Sequence, residues 1–283
     1  MSKTPYIITI AGTFQQGKST LVNCLLEKKF AETGNGLRTT ACNTVYRYGT
    51  HFRKQFIRHD GKIFQKIPDG KASFHPDDRV EVELPHDLLK NVTLIDTPGR
   101  NANAKDDEMA EKAIENTDAI LLLLAEKTIG NNDREILEKC REKNKRVILL
   151  FNCKNLDNWH PAEKQNQEIC EVIDAQVKNA GFDHLRLEAF GQNVFPCNLH
   201  WAWCALGLES DKKISRLYPE LDTPAKLEKA SGIQNIRHAI HNFPSILAWD
   251  FMSNMDREIE QIISNLEEQM DKIIQETAKK WIA

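Results

Sequence analysis

Residues 12–19, Gly12-Thr13-Phe14-Gln15-Gln16-Gly17-Lys18-Ser19, set bare amides, an ammonium and a hydroxyl side by side. The order G-x-x-x-x-G-K-S is that of a phosphate loop. Its glycines let backbone N–H groups curl around phosphate oxygens, and the start of a following helix adds partial positive charge. Lys18 is then placed to reach the β- and γ-phosphates, and Ser19, followed by Thr20, to offer a hydroxyl to Mg²⁺. A matching carboxylate stands at the end of an apolar stretch, in Asp96-Thr97-Pro98-Gly99. An aspartate at such a strand end holds Mg²⁺ through water, and Gly99 leaves an N–H for the γ-phosphate. Between them lies a polar stretch, 31–41, ending in Thr39-Thr40. Thr40, nearer the next strand, is the better placed to give Mg²⁺ a second hydroxyl, which would make this loop a switch.

The elements that must position these groups read from pattern. Residues 6–10 form an apolar β-rich run before the loop, and 19–29 an amphipathic helix after it, with Leu21, Val22, Leu25 and Leu26 apolar. A strand is expected at 43–48. Residues 52–57 and 63–67 flank Asp60-Gly61 as a hairpin, and 80–84 alternates as an edge strand would. Residues 91–95 form a buried strand, and 100–106 a polar second switch. Helices at 106–116, 133–143 and 161–180 alternate with strands at 119–124, 146–151 and 193–197. That rhythm predicts an α/β fold, a mostly parallel sheet with helices on both faces. Ligands bind at the carboxyl ends of such strands, where the phosphate loop and Asp96 both fall. Helices are expected at 200–208 and 224–242, then one long amphipathic helix over 245–281. Its length demands a partner surface. Two domains follow: 1–243, and a C-terminal helix at 244–283.

Bulk properties narrow the classes. With 283 residues, 41% hydrophobic and 28% charged, the chain is globular, and a net charge of -3 provides no global attraction for nucleic acid or anionic lipid. Residues 1–5 run into the first strand without a leader, and the longest apolar run, 119–125, is too short to span a bilayer. The seven cysteines are scattered and odd in number, as in a reducing cytosol. Cys197, His200 and Cys204 match no common zinc spacing. Residues 47–71 hold seven Lys/Arg against two Asp, with Tyr48, Phe52, Phe56 and Phe64 interleaved. This segment reads either as a contact for lipid headgroups or nucleic acid, or as a solvated hairpin with its aromatics packed inward, which we prefer.

Taken in order, these residues resemble a GTPase of the dynamin superfamily, most like its bacterial members, over residues 6–243. Gly12 to Leu21 match a G-x-F-x-x-G-K-S-T-L loop, Thr39-Thr40-Ala41 a switch, Tyr48-Gly49 the end of the following strand, Val80 to Gly99 the edge strand and D-T-P-G strand, and Ser231-Gly232-Ile233 the end of the GTPase domain. The resemblance implies binding and hydrolysis of Mg²⁺–GTP to GDP and phosphate. The nucleotide contacts would come from residues 12–20, Gly99, Asn152 and Asn198. It also implies pairing of GTPase domains, or a partner chain, with peripheral membrane contact from the cytoplasm.

The family's guanine reader is Asn/Thr-Lys-x-Asp, whereas here the strand ends Phe151-Asn152-Cys153-Lys154-Asn155-Leu156-Asp157. Aligned on Asn152, the lysine and aspartate positions hold Cys153 and Asn155. A two-residue shift brings Lys154 under the base and gives it Asp157 as acceptor, and we prefer that register. Phe14 replaces the glutamine of eukaryotic members, and Arg100 stands where small GTPases hold their water-orienting glutamine. Gln15, Gln16, Arg38, Arg100 or a group from a second copy could serve, so turnover alone is expected to be slow. A single long helix cannot form the family's bundle. Completing it takes a further length of chain, a partner or a second copy. Rival readings are a translation- or ribosome-associated GTPase switch, with the basic hairpin on RNA, and a nucleotide-binding scaffold with little turnover.

Overall fold

The computed structural model describes residues 4–31, 42–68, 74–99, 104–154, 163–185 and 194–282. It divides into two compact units, Met1–Asn242 and Phe243–Ala283.

The first unit is built on one twisted sheet, nine-stranded among the described residues, in the order β4-β3-β5-β2-β6-β1-β7-β8-β9. Its centre is β6 (Val92–Asp96), β1 (Tyr6–Ala11), β7 (Ala119–Leu124), β8 (Arg146–Asn152) and β9 (Val194–Cys197), all parallel. These strands read as near-continuous apolar runs because both faces of a parallel sheet are covered. Every residue of β7 is buried. The helices α1 (Lys18–Leu25), α2 (Ala104–Glu115), α3 (Asn131–Glu142), α4 (Glu163–Asn179) and α5 (Leu199–Ala205) follow the strands in turn. From α3, Ile136, Leu137 and Cys140 join Ile173 and Val177 of α4 and Trp201 of α5 in one core cluster.

The other wing reverses direction. The strand β2 (Asn43–Tyr48) runs antiparallel to β6, and β5 (Arg79–Leu84) is parallel to β2. Beyond them β3 (Arg53–Ile57) and the two-residue β4 (Ile63–Phe64) form the hairpin. Two expectations are corrected here. First, residues 80–84 are not an edge strand, because β5 lies between β2 and β3. Its alternating charge is accommodated by pairing. Buried Glu81 faces Arg79 at 2.9 Å and Arg47 at 3.3 Å. Second, the hairpin aromatics do not all pack inward. Phe56 is buried edge-on against Phe74, while Tyr48, Phe52, Ile63 and Phe64 are exposed, since so short a β4 covers little. The hairpin's positive charge is largely internal: Arg53 pairs with Glu83, and Arg58 and Lys62 with Asp60.

The helix α1 ends at Leu25, four residues before the expected limit of 29. Fully buried Asn23 accepts from Phe30 and Ala31 N–H at 2.7 Å each, and Glu27 takes a left-handed φ of 56°. The chain thus turns back on its own amide-bearing side chain. After α6 (Lys212–Leu217) and α7 (Pro224–Ala230), Ser231 and Gly232 break the helix. Gly232 has φ 78°, and a Cβ there would lie 2.5 Å from Pro196 O, so only glycine fits. The last helix, α8, runs Ile233–Ile282 and carries Pro244 inside it. The second unit holds the rest of this helix. Met252, Met255, Ile259, Ile262, Ile263, Leu266, Met270, Ile273 and Ile274 are all exposed there. No helix among the described residues is long and apolar enough to cross a membrane.

Candidate nucleotide site

The strand β1 has β6 on one side and β7 on the other, so the connections leave in opposite directions at its carboxyl end. That switch point is where a ligand crevice opens in such sheets. Residues 12–17 turn there. Gly12 has φ 150°, and a Cβ on it would meet Leu123 O at 2.8 Å. Gly17, at φ 106°, caps α1 and aims the helix's first amides into the turn. Between them Gln15 is exposed and left-handed at φ 62°, a conformation costing about 1–2 kcal/mol for a non-glycine residue.

Lys18 is buried, and its Nζ donates to Gly12 O at 3.1 Å and Thr13 O at 3.0 Å. Ser19 Oγ donates to Asp96 Oδ2 at 2.8 Å, although the two residues are 77 positions apart. Asp96 is 1% exposed, and its register with Ile10 of β1 and Thr44 of β2 fixes where it ends. Beside it Tyr46 is held neutral, by burial first and then by the Asp96 charge. Thr97 Oγ1 donates to Ile10 O at 2.9 Å and pins the strand end to β1. Gly99 passes directly over the loop, where a Cβ would lie 2.7 Å from Phe14 Cα. The hydroxyl and carboxylate are hard oxygen donors of the kind Mg²⁺ takes, and the glycine turn is a cradle that any Cβ would fill. The residues present therefore fit a magnesium-bound phosphate chain.

The far side of the site is built by β8. Asn152 Nδ2 donates to Gln16 O at 3.0 Å, and its Oδ1 accepts from Leu199 N at 3.1 Å. Cys153 is buried, and its N–H bonds Cys197 O at 2.8 Å. Lys154 turns the other way, and its Nζ donates to Gln15 O. Burial of this ammonium beside the loop lowers its pKa. Asn198 is fully buried, and its Oδ1 accepts from Trp201 N at 3.0 Å as the cap of α5, so its side chain serves the scaffold. Thr13, Ser19 and Thr20 are half-buried, while Phe14 is exposed on the rim. Thr40, Arg100 and Asp157, the expected second magnesium hydroxyl, water-side group and base acceptor, lie outside the described residues.

Residues 8–154 match the model of the dynamin family. The chain belongs to the dynamin family. Among its relatives, "Dynamin-like protein 2" of Campylobacter jejuni is 36% identical over 108 residues, 35% of this chain and 17% of that protein. The "Probable transmembrane GTPase FZO-like, chloroplastic" of Arabidopsis thaliana is 24% identical over 150 residues, 52% of this chain and 15% of that protein. A solved structure described as an oligomerised bacterial dynamin pair superposes with a TM-score of 0.55 at 15% identity, over 98% of this chain and 52% of that one. The shared fold extends far beyond the shared sequence. The chain thus spans about half of that structure and a smaller part of these two relatives.

Two features of the site went unread in the sequence. One is the Thr97 tie to Ile10, whose only signal was a hydroxyl directly after the strand-end carboxylate. The other is Asp133, three residues after Gly130, which carries the mark of a helix cap and nothing that points to the phosphate loop.

Proposed function

We propose that this dynamin-family domain binds Mg²⁺–GTP and hydrolyses it to GDP and phosphate by in-line attack of water on the γ-phosphorus. The observation that carries this reading is the Ser19–Asp96 contact of 2.8 Å beside buried Lys18. Loop amides and the α1 amino end bind the phosphate oxygens, and Lys18 neutralises charge developing on the β–γ bridge. Ser19 and Thr40 would hold Mg²⁺ directly, and Asp96 would order its water shell. A magnesium ion held there would supply charge compensation to the phosphate chain. Gly99 N–H is offered to the γ-phosphate. Lys154, already set on Gln15 O, lays its stem under the base, and Asp157 accepts from guanine N1–H and the exocyclic amine.

Phe14 and Arg100 stand where related GTPases carry a glutamine, so Gln15, Gln16, Arg38, Arg100 or a group from a second copy would have to orient the water. Turnover by a single copy is accordingly slow and rises when two GTPase domains pair. The exposed apolar stripe of α8 favours further association, with peripheral membrane contact as its setting. The related structure is described as an oligomerised pair that senses and tethers membranes, and we extend association, not that role, to this chain.

The test is phosphate release from GTP, ATP and XTP over a protein concentration series, with Lys18→Ala alongside. Expected are a preference for GTP, specific activity that climbs with concentration, and a loss of at least about 100-fold in the variant. Unchanged hydrolysis by Lys18→Ala would refute the site. A flat, near-zero series with intact GTP binding would leave a nucleotide-binding scaffold instead.

A further inference from the structure

Gln16 is an odd residue to find folded inside a phosphate loop. It is 7% exposed, and its carboxamide has one acceptor and two donor positions that burial obliges it to satisfy. The oxygen turns back across the loop and accepts from Thr13 N–H at 2.7 Å. That oxygen occupies the space a Cβ on Gly12 would need, at 2.3 Å, so the bare Gly12 and the long Gln16 are a matched pair. Asn152 grips Gln16 from a third direction, through its main-chain carbonyl at 3.0 Å.

The amide also faces a carboxylate. Asp133, in the first turn of α3, is 6% exposed, and its Oδ2 accepts from Gly130 N at 3.1 Å. Burial raises its pKa, while the Gly130 amide and the Gln16 side chain act in the opposite direction. Its Oδ1 is buried with no hydrogen-bond partner. A buried carboxylate oxygen without a partner favours the Gln16 amide as its donor.

We propose that Gln16 is a positioning residue for the nucleotide. Its carboxamide braces the phosphate loop from within, between Thr13 N–H and Asp133, and keeps the loop's amides curled to receive phosphate. The brace couples the start of α3 to the loop through one side chain. With its oxygen committed to Thr13 N–H, this role differs from the water-orienting one that a loop glutamine would otherwise invite. The inference rests on the nucleotide reading of the loop.

The experiment compares wild type, Gln16→Ala, Gln16→Met, Asp133→Asn, the Gln16→Met/Asp133→Asn double variant and Lys18→Ala. It measures GDP and GTP affinity by fluorescent-analogue titration, steady-state GTP turnover, and thermal melting. Gln16→Ala and Gln16→Met should each weaken GDP and GTP alike by about tenfold, the worth of one buried hydrogen bond. KM should rise in step, and kcat at saturation should fall by less than about threefold. The double variant should be no worse than the worse single variant, because both cut one brace. Gln16→Met keeps the length and apolar bulk, so it reports on the brace even where Gln16→Ala fails to fold. Unchanged affinity in folded Gln16 variants would overturn the proposal. So would a kcat loss near 100-fold at unchanged affinity, which would make Gln16 a water-orienting group. Additive losses in the double variant would remove Asp133 from it. A wild type that binds no nucleotide, indistinguishable from Lys18→Ala, would remove the nucleotide reading and the proposal with it.

Discussion

Asn152 shows how one side chain can hold a site together without touching its chemistry. Its carboxamide donates to Gln16 O and accepts from Leu199 N, joining the phosphate loop, β8 and α5 in a place that is 4% exposed. Removing it strands a carbonyl and an N–H in the interior. Asn152→Ala should therefore destabilise the first unit by about 1–3 kcal/mol in denaturant melts, and weaken nucleotide as well. A variant as stable as wild type that nonetheless loses nucleotide would mean the amide acts on the ligand directly. The residue after it, Cys153, holds the lysine position of the family's base reader when the chain is aligned on Asn152, and it is buried. The next side chain, Lys154, reaches the phosphate loop instead.

At the scale of elements, the carboxyl end of α1 is tied to the start of α8. Arg237 donates to Cys24 O at 3.1 Å, lies 3.0 Å from Glu27, and pairs with Glu228 of α7. Burial works against the charge on Glu228, yet hydrogen bonds from Arg237 and Gln234 prevail and hold its pKa below the ordinary 4.5. A depressed carboxylate pKa means that its stabilisation is complete above the unfolded value of 4.5 and fades as pH falls through the lower, folded one. Melting of wild type should thus drop more steeply below about pH 4.5 than melting of Glu228→Gln, whose side chain cannot titrate. Parallel acid profiles would show that the Glu228–Arg237 pair contributes nothing net. The junction also needs Gly232, since any Cβ would press on the Pro196 carbonyl that carries β9 into α5.

For the whole molecule, the governing contrast lies between two surfaces. The first unit encloses a large apolar core and exposes apolar side chains only in short patches such as Phe52, Ile63 and Phe64 of the hairpin, while in the second a stripe from Met252 to Ile274 stands in solvent. An exposed face of that extent marks association. Leu266→Glu together with Ile273→Glu should lower the sedimentation coefficient distribution at high protein concentration and leave the melting of the nucleotide unit unchanged. An identical distribution in the double variant would place self-association elsewhere.

The sequence alone was enough for the phosphate loop, the strand-end aspartate, the α/β alternation and the long last helix. Each is written locally, as glycines at fixed spacing, a charge closing an apolar run, or apolar positions at helical period. It could not tell that β5 lies inside the sheet, because an alternating strand looks the same at an edge and in the middle until its charged partners are known. Nor could it show Lys154 on the loop or Asn152 bridging Gln16 and Leu199. Those contacts join residues up to 139 positions apart. They exist only because the order of strands around β1 brings the end of β8 and the start of α5 to the same turn, and that order is settled by packing the whole sheet at once.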